Sequence, residues 1–151
     1  MYFGLINVED EPYVLEYNVR MGDPESEVVI PRINNDILEV FEAITNSNLS
    51  EIELDITDNA VSTVMMVSGG YPLKYEKGKE ISNLNDFGDD TIVFHAGTKL
   101  TENKILTDGG RVLSISSYGK DIFDALKRSY KVADIIKFEG AYFRKDIGFD
   151  L

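Results

Sequence analysis

The sequence predicts an α+β fold of antiparallel strands with two main helices. Three observations lead there. Short segments of alternating apolar and polar residues recur along the chain, separated by turns rich in Gly, Asn, Asp and Pro. Only two stretches, near 34–45 and 120–137, carry the three-to-four-residue apolar spacing of an amphipathic helix. The links between successive strands are mostly turns, too short for the crossover that a parallel pair needs.

Residues 2–7 and 13–19 read as two strands about the polar turn at 7–12. Along the second, Leu15, Tyr17 and Val19 share one face while Glu16, Asn18 and Arg20 share the other, so the strand should cover a core and line a polar cleft. The turn-rich run Gly22-Asp23-Pro24-Glu25-Ser26 leads to a helix over about 34–45, with Ile37, Leu38, Phe41 and Ile44 as its apolar stripe and Asp36, Glu39 and Glu42 on its wet side. Strands are expected near 52–56 and 60–67 about Thr57-Asp58-Asn59. The loop Ser68-Gly69-Gly70-Tyr71-Pro72 opens into a basic stretch at 74–79. Strands near 91–97, 103–107 and 111–117 follow. A helix then runs over 120–137, capped by Asp121, with Ile122, Leu126, Tyr130, Ala133 and Ile136 turned inward. A last strand is expected at 141–147.

The 151 residues are 43% hydrophobic and 28% charged, the profile of an ordinary globular chain. There is no Cys, which removes disulfide and thiol chemistry and fits a cytoplasmic setting. No apolar run approaches the ~20 residues of a membrane span, and the first residues lack the basic region and cleavage site of a secretory signal. A net charge of −12 argues against a nucleic-acid partner. Residues 1–60 hold 14 acidic residues against Arg20 and Arg32, whereas residues 61–151 hold 13 of each sign. These carboxylates either form a solvated face or meet metal ions or basic groups outside the chain.

Glu16 and Asn18 are the first chemical candidates. Two oxygen donors two positions apart on a strand point the same way, and a carboxylate with an amide carbonyl suits a hard divalent cation. Spacing alone does not separate this from ordinary surface. The run that follows, Arg20-Met21-Gly22-Asp23-Pro24-Glu25, places a guanidinium and further carboxylates at a sharp turn. Arg20 either grips a phosphorylated group or pairs with Asp23 or Glu25 to shape the loop. Asp23 either orients an attacking amine or caps the turn. Lys77, Arg144 and Lys145 form either a phosphate-binding set or a solvated basic patch. His95, the single histidine, alternates with apolar neighbours and reads as a hydrogen-bonded structural residue. Gly69-Gly70 and Gly109-Gly110 read as turns with positive φ or, at Gly69-Gly70, as a place where a substrate touches the backbone. No phosphate-binding G-x-x-x-x-G-K-[ST] loop occurs.

The block from Glu16 to Glu25 resembles the signature of the phosphoribosylamine–glycine ligases. Four further blocks follow in that family's order: Ser68-Gly69-Gly70-Tyr71-Pro72 with Tyr75 and Lys77-Gly78, then Phe94-His95-Ala96-Gly97-Thr98, Gly109-Gly110-Arg111-Val112, and Phe143-Arg144-Lys145-Asp146-Ile147-Gly148. Met21 stands where the family usually has Phe or Leu, and Glu27 where Gln is common.

The resemblance implies the carboxy-terminal part of an ATP-grasp enzyme of purine biosynthesis. Residues 1–48 would be the end of the ATP-grasp domain and residues 49–151 the family's small carboxy-terminal domain. Such a ligase phosphorylates glycine with ATP and lets 5-phosphoribosylamine attack the glycyl phosphate, giving glycinamide ribonucleotide, ADP and phosphate. The resemblance makes Glu16 and Asn18 ligands of Mg²⁺ or Mn²⁺ bridging the ATP phosphates, with Arg20 and Asp23 catalytic. It also makes Lys77, Arg144 and Lys145 receivers of the 5′-phosphate.

The lobes supplying adenine and further phosphate contacts would lie outside the chain, so the isolated chain is expected to be inactive. A truncated or split gene, or an excised piece, would account for this. The competing expectation is a non-catalytic module that binds a divalent cation or a nucleotide.

Overall fold

The computed structural model describes residues 2–149, and it is α+β as expected. Strands β1 (Tyr2–Val8) and β2 (Glu11–Asn18) form a hairpin whose two-residue turn places Glu9 and Asp10 at φ 53° and 66°. That conformation matches the right-handed twist of the flanking strands and lets both reach further than the sequence indicates. A short helix α1 (Ser26–Val29), a 3₁₀ turn at Ile30–Arg32, helix α2 (Ile37–Thr45) and a second 3₁₀ turn at Leu49–Glu51 follow. Asp36 caps α2, its carboxylate accepting from the Leu38 N–H at 2.9 Å, which starts the helix three residues later than predicted.

The body of the molecule is a three-stranded antiparallel sheet in the order β3 (Ala60–Val67), β7 (Arg111–Gly119), β4 (Thr91–His95). Strands β5 (Thr98–Thr101) and β6 (Lys104–Thr107) form a separate hairpin. Helix α3 (Ile122–Ile135) crosses one face of the large sheet. Its N-terminus is closed by Asp121, which accepts from the Asp124 N–H at 2.8 Å. Val64 and Met66 of β3, Leu113 and Ile115 of β7, and Val132, Ala133 and Ile136 form one buried cluster. Leu126 is buried and Ile122 and Tyr130 half-buried, in keeping with the predicted inward stripe.

The opposite face of the sheet carries hydroxyls. Thr63 Oγ1 lies 2.6 Å from Ser114 Oγ, and the Ser116 hydroxyl donates to Thr63 at 3.0 Å, so these polar groups satisfy one another. Helix α1 packs on this side, and the Tyr118 hydroxyl donates to the Pro31 carbonyl at 2.6 Å. These contacts fix the segment that follows the β1–β2 hairpin against the sheet.

Five local expectations are corrected. Residues 52–56 and 141–147 are not strands; each contributes a single bridge, Ile33 to Ile56 and Val67 to Tyr142. The apolar residues of the latter segment pack as a strap, with Phe143 and Ile147 against the core, so their spacing reports burial without pairing. The expected strand at 91–97 ends at His95, because the chain turns there to begin β5. The apolar face of β2 does not cover the described core: Leu15 is 67% and Val19 93% exposed. Leu38, Phe41 and Ile44 of α2 are exposed as well.

Candidate functional site

On β2, Glu16 and Asn18 lie on one face, and the Asn18 amide donates to Glu16 Oε1 at 3.0 Å. Glu16 stands opposite Gly4, next to the bulge between Gly4 and Leu5. A Cβ at Gly4 would sit 2.9 Å from Glu16 Cγ, so the glycine leaves the space the glutamate side chain uses. A carboxylate and an amide on one face are donor types that a hard cation takes, although here the amide turns its N–H and not its carbonyl oxygen toward Glu16. Among the described residues no group of three or more His, Asp or Glu converges for a metal, so this pair offers an ion two protein side chains.

Arg20 lies beyond the end of β2, exposed, and its Nη1 donates to the Met21 carbonyl at 2.7 Å. The two ion pairs considered for it, with Asp23 and with Glu25, do not form. Asp23 instead meets Arg111, 88 positions away. Arg111 Nη1 donates to the Asp23 carbonyl at 2.8 Å and Nη2 to the Asp23 carboxylate at 3.0 Å. One guanidinium therefore clasps both backbone and side chain of the turn. The turn is closed further by Ser26, whose N–H donates to the Gly22 carbonyl at 3.1 Å. Burial first, and then the Glu25 and Glu16 carboxylates, raise the Tyr2 phenol above its ordinary value.

Glu27 sits behind this clasp with one carboxylate oxygen buried and unpartnered. Burial, then the negative charges of Asp23 and Glu25, push its carboxyl above the usual range, against the pull of its own backbone N–H and of Arg111. A raised carboxyl pKa means that the fold favours the neutral form. Its contribution to stability is present at low pH and is lost as pH rises through the folded-state value. Glu27→Gln should therefore raise the melting temperature at pH 7.5 and change it little at pH 4, as thermal melts at the two pH values will show.

Arg111 also walls a cavity of about 300 Å³, together with Met65, Val67, Tyr71, Tyr142, Phe143 and Arg144. The predicted phosphate-binding set does not converge there as a group. Arg144 lines this cavity while holding Asp146 through Nε and Nη2, both at 2.9 Å. Lys145 lies 6.0 Å over the Phe143 ring and lines a neighbouring depression with Asp134 and Asp146. Lys77 stands elsewhere, 3.7 Å from Asp108, which Lys99 also approaches at 3.8 Å. The residue that sequence reasoning passed over is Arg111; its place in the Gly109-Gly110-Arg111-Val112 block was the available signal.

The glycine doublets have different reasons. Gly70 alone of the four has a positive φ, 94°. Gly110 lies against the Tyr71 ring, where a Cβ would come 2.1 Å from a ring carbon, and Gly109 runs against the backbone of Gly97. His95 Nδ1 lies 2.9 Å from the Thr98 hydroxyl, at the corner between β4 and β5.

The family model described as phosphoribosylglycinamide synthetase, C domain, matches residues 61–150, from the second residue of β3 onward. The chain belongs to that family. It is 42% identical to the phosphoribosylamine–glycine ligase of Halalkalibacterium halodurans over 148 residues, covering 98% of this chain and 34% of the relative. It is 42% identical to the trifunctional purine biosynthetic protein adenosine-3 of Gallus gallus, covering 99% of this chain and 15% of that protein. Among solved structures, the phosphoribosylamine–glycine ligase of Thermotoga maritima matches with a TM-score of 0.71 at 33% identity, over 95% of this chain and 35% of the other. The chain thus spans about a third of the length of the single-function ligases it matches. For a phosphoribosylglycinamide synthetase C domain, the clasp between Asp23 and Arg111 has a particular meaning: it ties the segment ahead of the matched region to the sheet within it.

Proposed function

We propose that this chain is the metal- and phosphate-facing part of an ATP-dependent ligase that joins glycine to 5-phosphoribosylamine, the reaction named in its relatives. In this reading residues 1–48 close an ATP-grasp domain and residues 49–151 form the ligase's carboxy-terminal domain. The observation that carries it is the continuity of three features: the Glu16–Asn18 pair, the Arg20–Asp23 turn, and the arginine-lined cavity that Arg111 joins to that turn. Glu16 and Asn18 would hold Mg²⁺ or Mn²⁺, and a bound ion there supplies charge neutralisation for the ATP phosphates. Arg20, whose guanidinium is otherwise spent only on a neighbouring carbonyl, presents its remaining N–H groups to a transferring phosphoryl group. Asp23 is held in place for the incoming amine. Arg144 offers the donor edge that Asp146 does not occupy to the 5′-phosphate of the amine substrate.

The exposed apolar face of β1–β2, with Phe3, Leu15, Tyr17 and Val19, and the acidic surface around it are where the rest of the ligase packs. Positioning two substrates and ATP needs those lobes, so the chain alone should make no glycinamide ribonucleotide. The test is product formation by the purified chain, with and without the portion of a relative that it does not match, supplied in trans. The reading expects activity only in the mixture; turnover by the chain alone that requires both glycine and the phosphorylated amine would overturn the division of labour.

A further inference from the structure

Arg144 and Lys145 stand on a segment that has left the sheet, and one residue of α3 grips it on both sides. The strap meets β3 at one point, where the Val67 N–H donates to the Tyr142 carbonyl at 2.8 Å and the Tyr142 N–H to the Val67 carbonyl at 3.0 Å. Beyond it, Arg144 binds Asp146 and Lys145 lies over the Phe143 ring, contacts that close the turn on itself without fastening it to the body. Among the described residues, the one backbone group of 143–149 bonded outside that segment is the Ile147 N–H, which donates to the Tyr130 hydroxyl at 3.0 Å. The Tyr130 ring also packs on the Phe143 ring, with centroids 6.1 Å apart. Tyr130 therefore touches the residue on either side of Arg144-Lys145-Asp146, all three of which are exposed. Ring packing alone lets a segment slide and turn, whereas a hydrogen bond is directional and fixes where Ile147 lies.

We propose that Tyr130 is a positioning residue: it sets where the 143–147 turn presents Arg144, and through that how tightly the phosphorylated amine is held. The inference rests on the proposed use of Arg144 for the 5′-phosphate and adds to it the group that places the arginine. It concerns the solvent side of the turn, where the Arg144 side chain is 63% exposed, and does not involve the apolar cavity that the strap also lines. A guanidinium on a loose turn must surrender backbone and rotamer freedom when it takes a ligand. A turn fastened by Tyr130 has surrendered part of that freedom on folding. Loss of the bond should therefore weaken binding and leave the chemical step alone.

The experiment uses Tyr130→Phe, which keeps the ring on Phe143 and removes the acceptor of the Ile147 N–H. On the ¹⁵N-labelled chain, hydrogen exchange at the Ile147 amide should quicken and the amides of residues 143–147 should shift, with little change in melting temperature. In the ligase assembled from this chain and the portion it does not match, KM for 5-phosphoribosylamine should rise about three- to tenfold at unchanged kcat. Arg144→Ala should raise the same KM, and the double variant should fall short of the product of the two single effects. A raised KM in Arg144→Ala with none in Tyr130→Phe would overturn the positioning role and leave the phosphate reading standing. An unaltered KM in Arg144→Ala would overturn that reading, and the consequence for binding with it. Unchanged exchange at Ile147 and unmoved 143–147 amides would overturn the hold of Tyr130 on the turn without recourse to any assembled enzyme. A fall in kcat in step with a lowered melting temperature would reduce Tyr130 to a structural part of the core and overturn the proposal as well.

Discussion

Replacing Gly97 with valine should cost the fold about 3 kcal/mol or more, because its new side chain has nowhere to go. A Cβ at this position would lie 2.4 Å from the Arg111 carbonyl oxygen and 2.6 Å from Gly109 Cα. Both are backbone atoms, which cannot swing aside as a side chain would. Three hydrogen bonds hold the chain there: Ala96 N–H to the Val112 carbonyl at 3.0 Å, Gly97 N–H to the Arg111 carbonyl at 2.8 Å, and Asp108 N–H to the Gly97 carbonyl at 2.7 Å. A branched side chain must push the β4–β5 corner off the start of β7 and break this lattice. The same displacement would carry Arg111 away from Asp23, so the damage reaches the site. Thermal or urea unfolding of the variant measures the loss. A variant melting within a degree or two of wild type would mean that the close approach of Gly97 and Gly109 is not required by the fold.

Glu16→Ala should lower activity on the order of 10²–10³-fold in a ligase assembled from this chain and the portion it does not match, the scale seen when one preorganised electrostatic group is removed. Stability should hardly change, since Glu16 is exposed and its one side-chain bond is to the neighbouring Asn18. Glu16→Gln separates charge from shape: it keeps an oxygen beside Asn18 and loses the negative charge that a hard cation requires. Equal, large losses in both variants, with unchanged melting, are expected. Retention of activity in Glu16→Gln would mean that the carboxylate acts only through its bond to Asn18.

The parts of this architecture that are local in sequence were legible in it. Asp121 with Asp124 marks the start of α3, and the inward stripe from Ile122 to Ile136 follows from helical period alone. Glu16 and Asn18 share a face because strand geometry demands it. What could not be read was long-range. The cavity exists because the 141–147 strap touches β3 at Val67 and brings Arg144 to Arg111, and the clasp joins positions 23 and 111. No periodicity encodes such a meeting. The apolar face of β2 misled for a related reason: alternation shows that a face seeks cover, and it does not say whether that cover lies within the same 151 residues.

Whether the Glu16–Asn18 pair is the metal-facing edge of a ligase site can be measured on the chain as it stands. Mn²⁺ titrated into the ¹⁵N-labelled protein broadens amides by proximity. With two protein side chains and the rest of the coordination shell left to water, binding should be weak yet localised. Selective broadening of residues 14–24 and of residues 2–4 across the hairpin is expected, abolished in Glu16→Ala. Broadening that avoids 14–24 and gathers elsewhere on the acidic surface would contradict it.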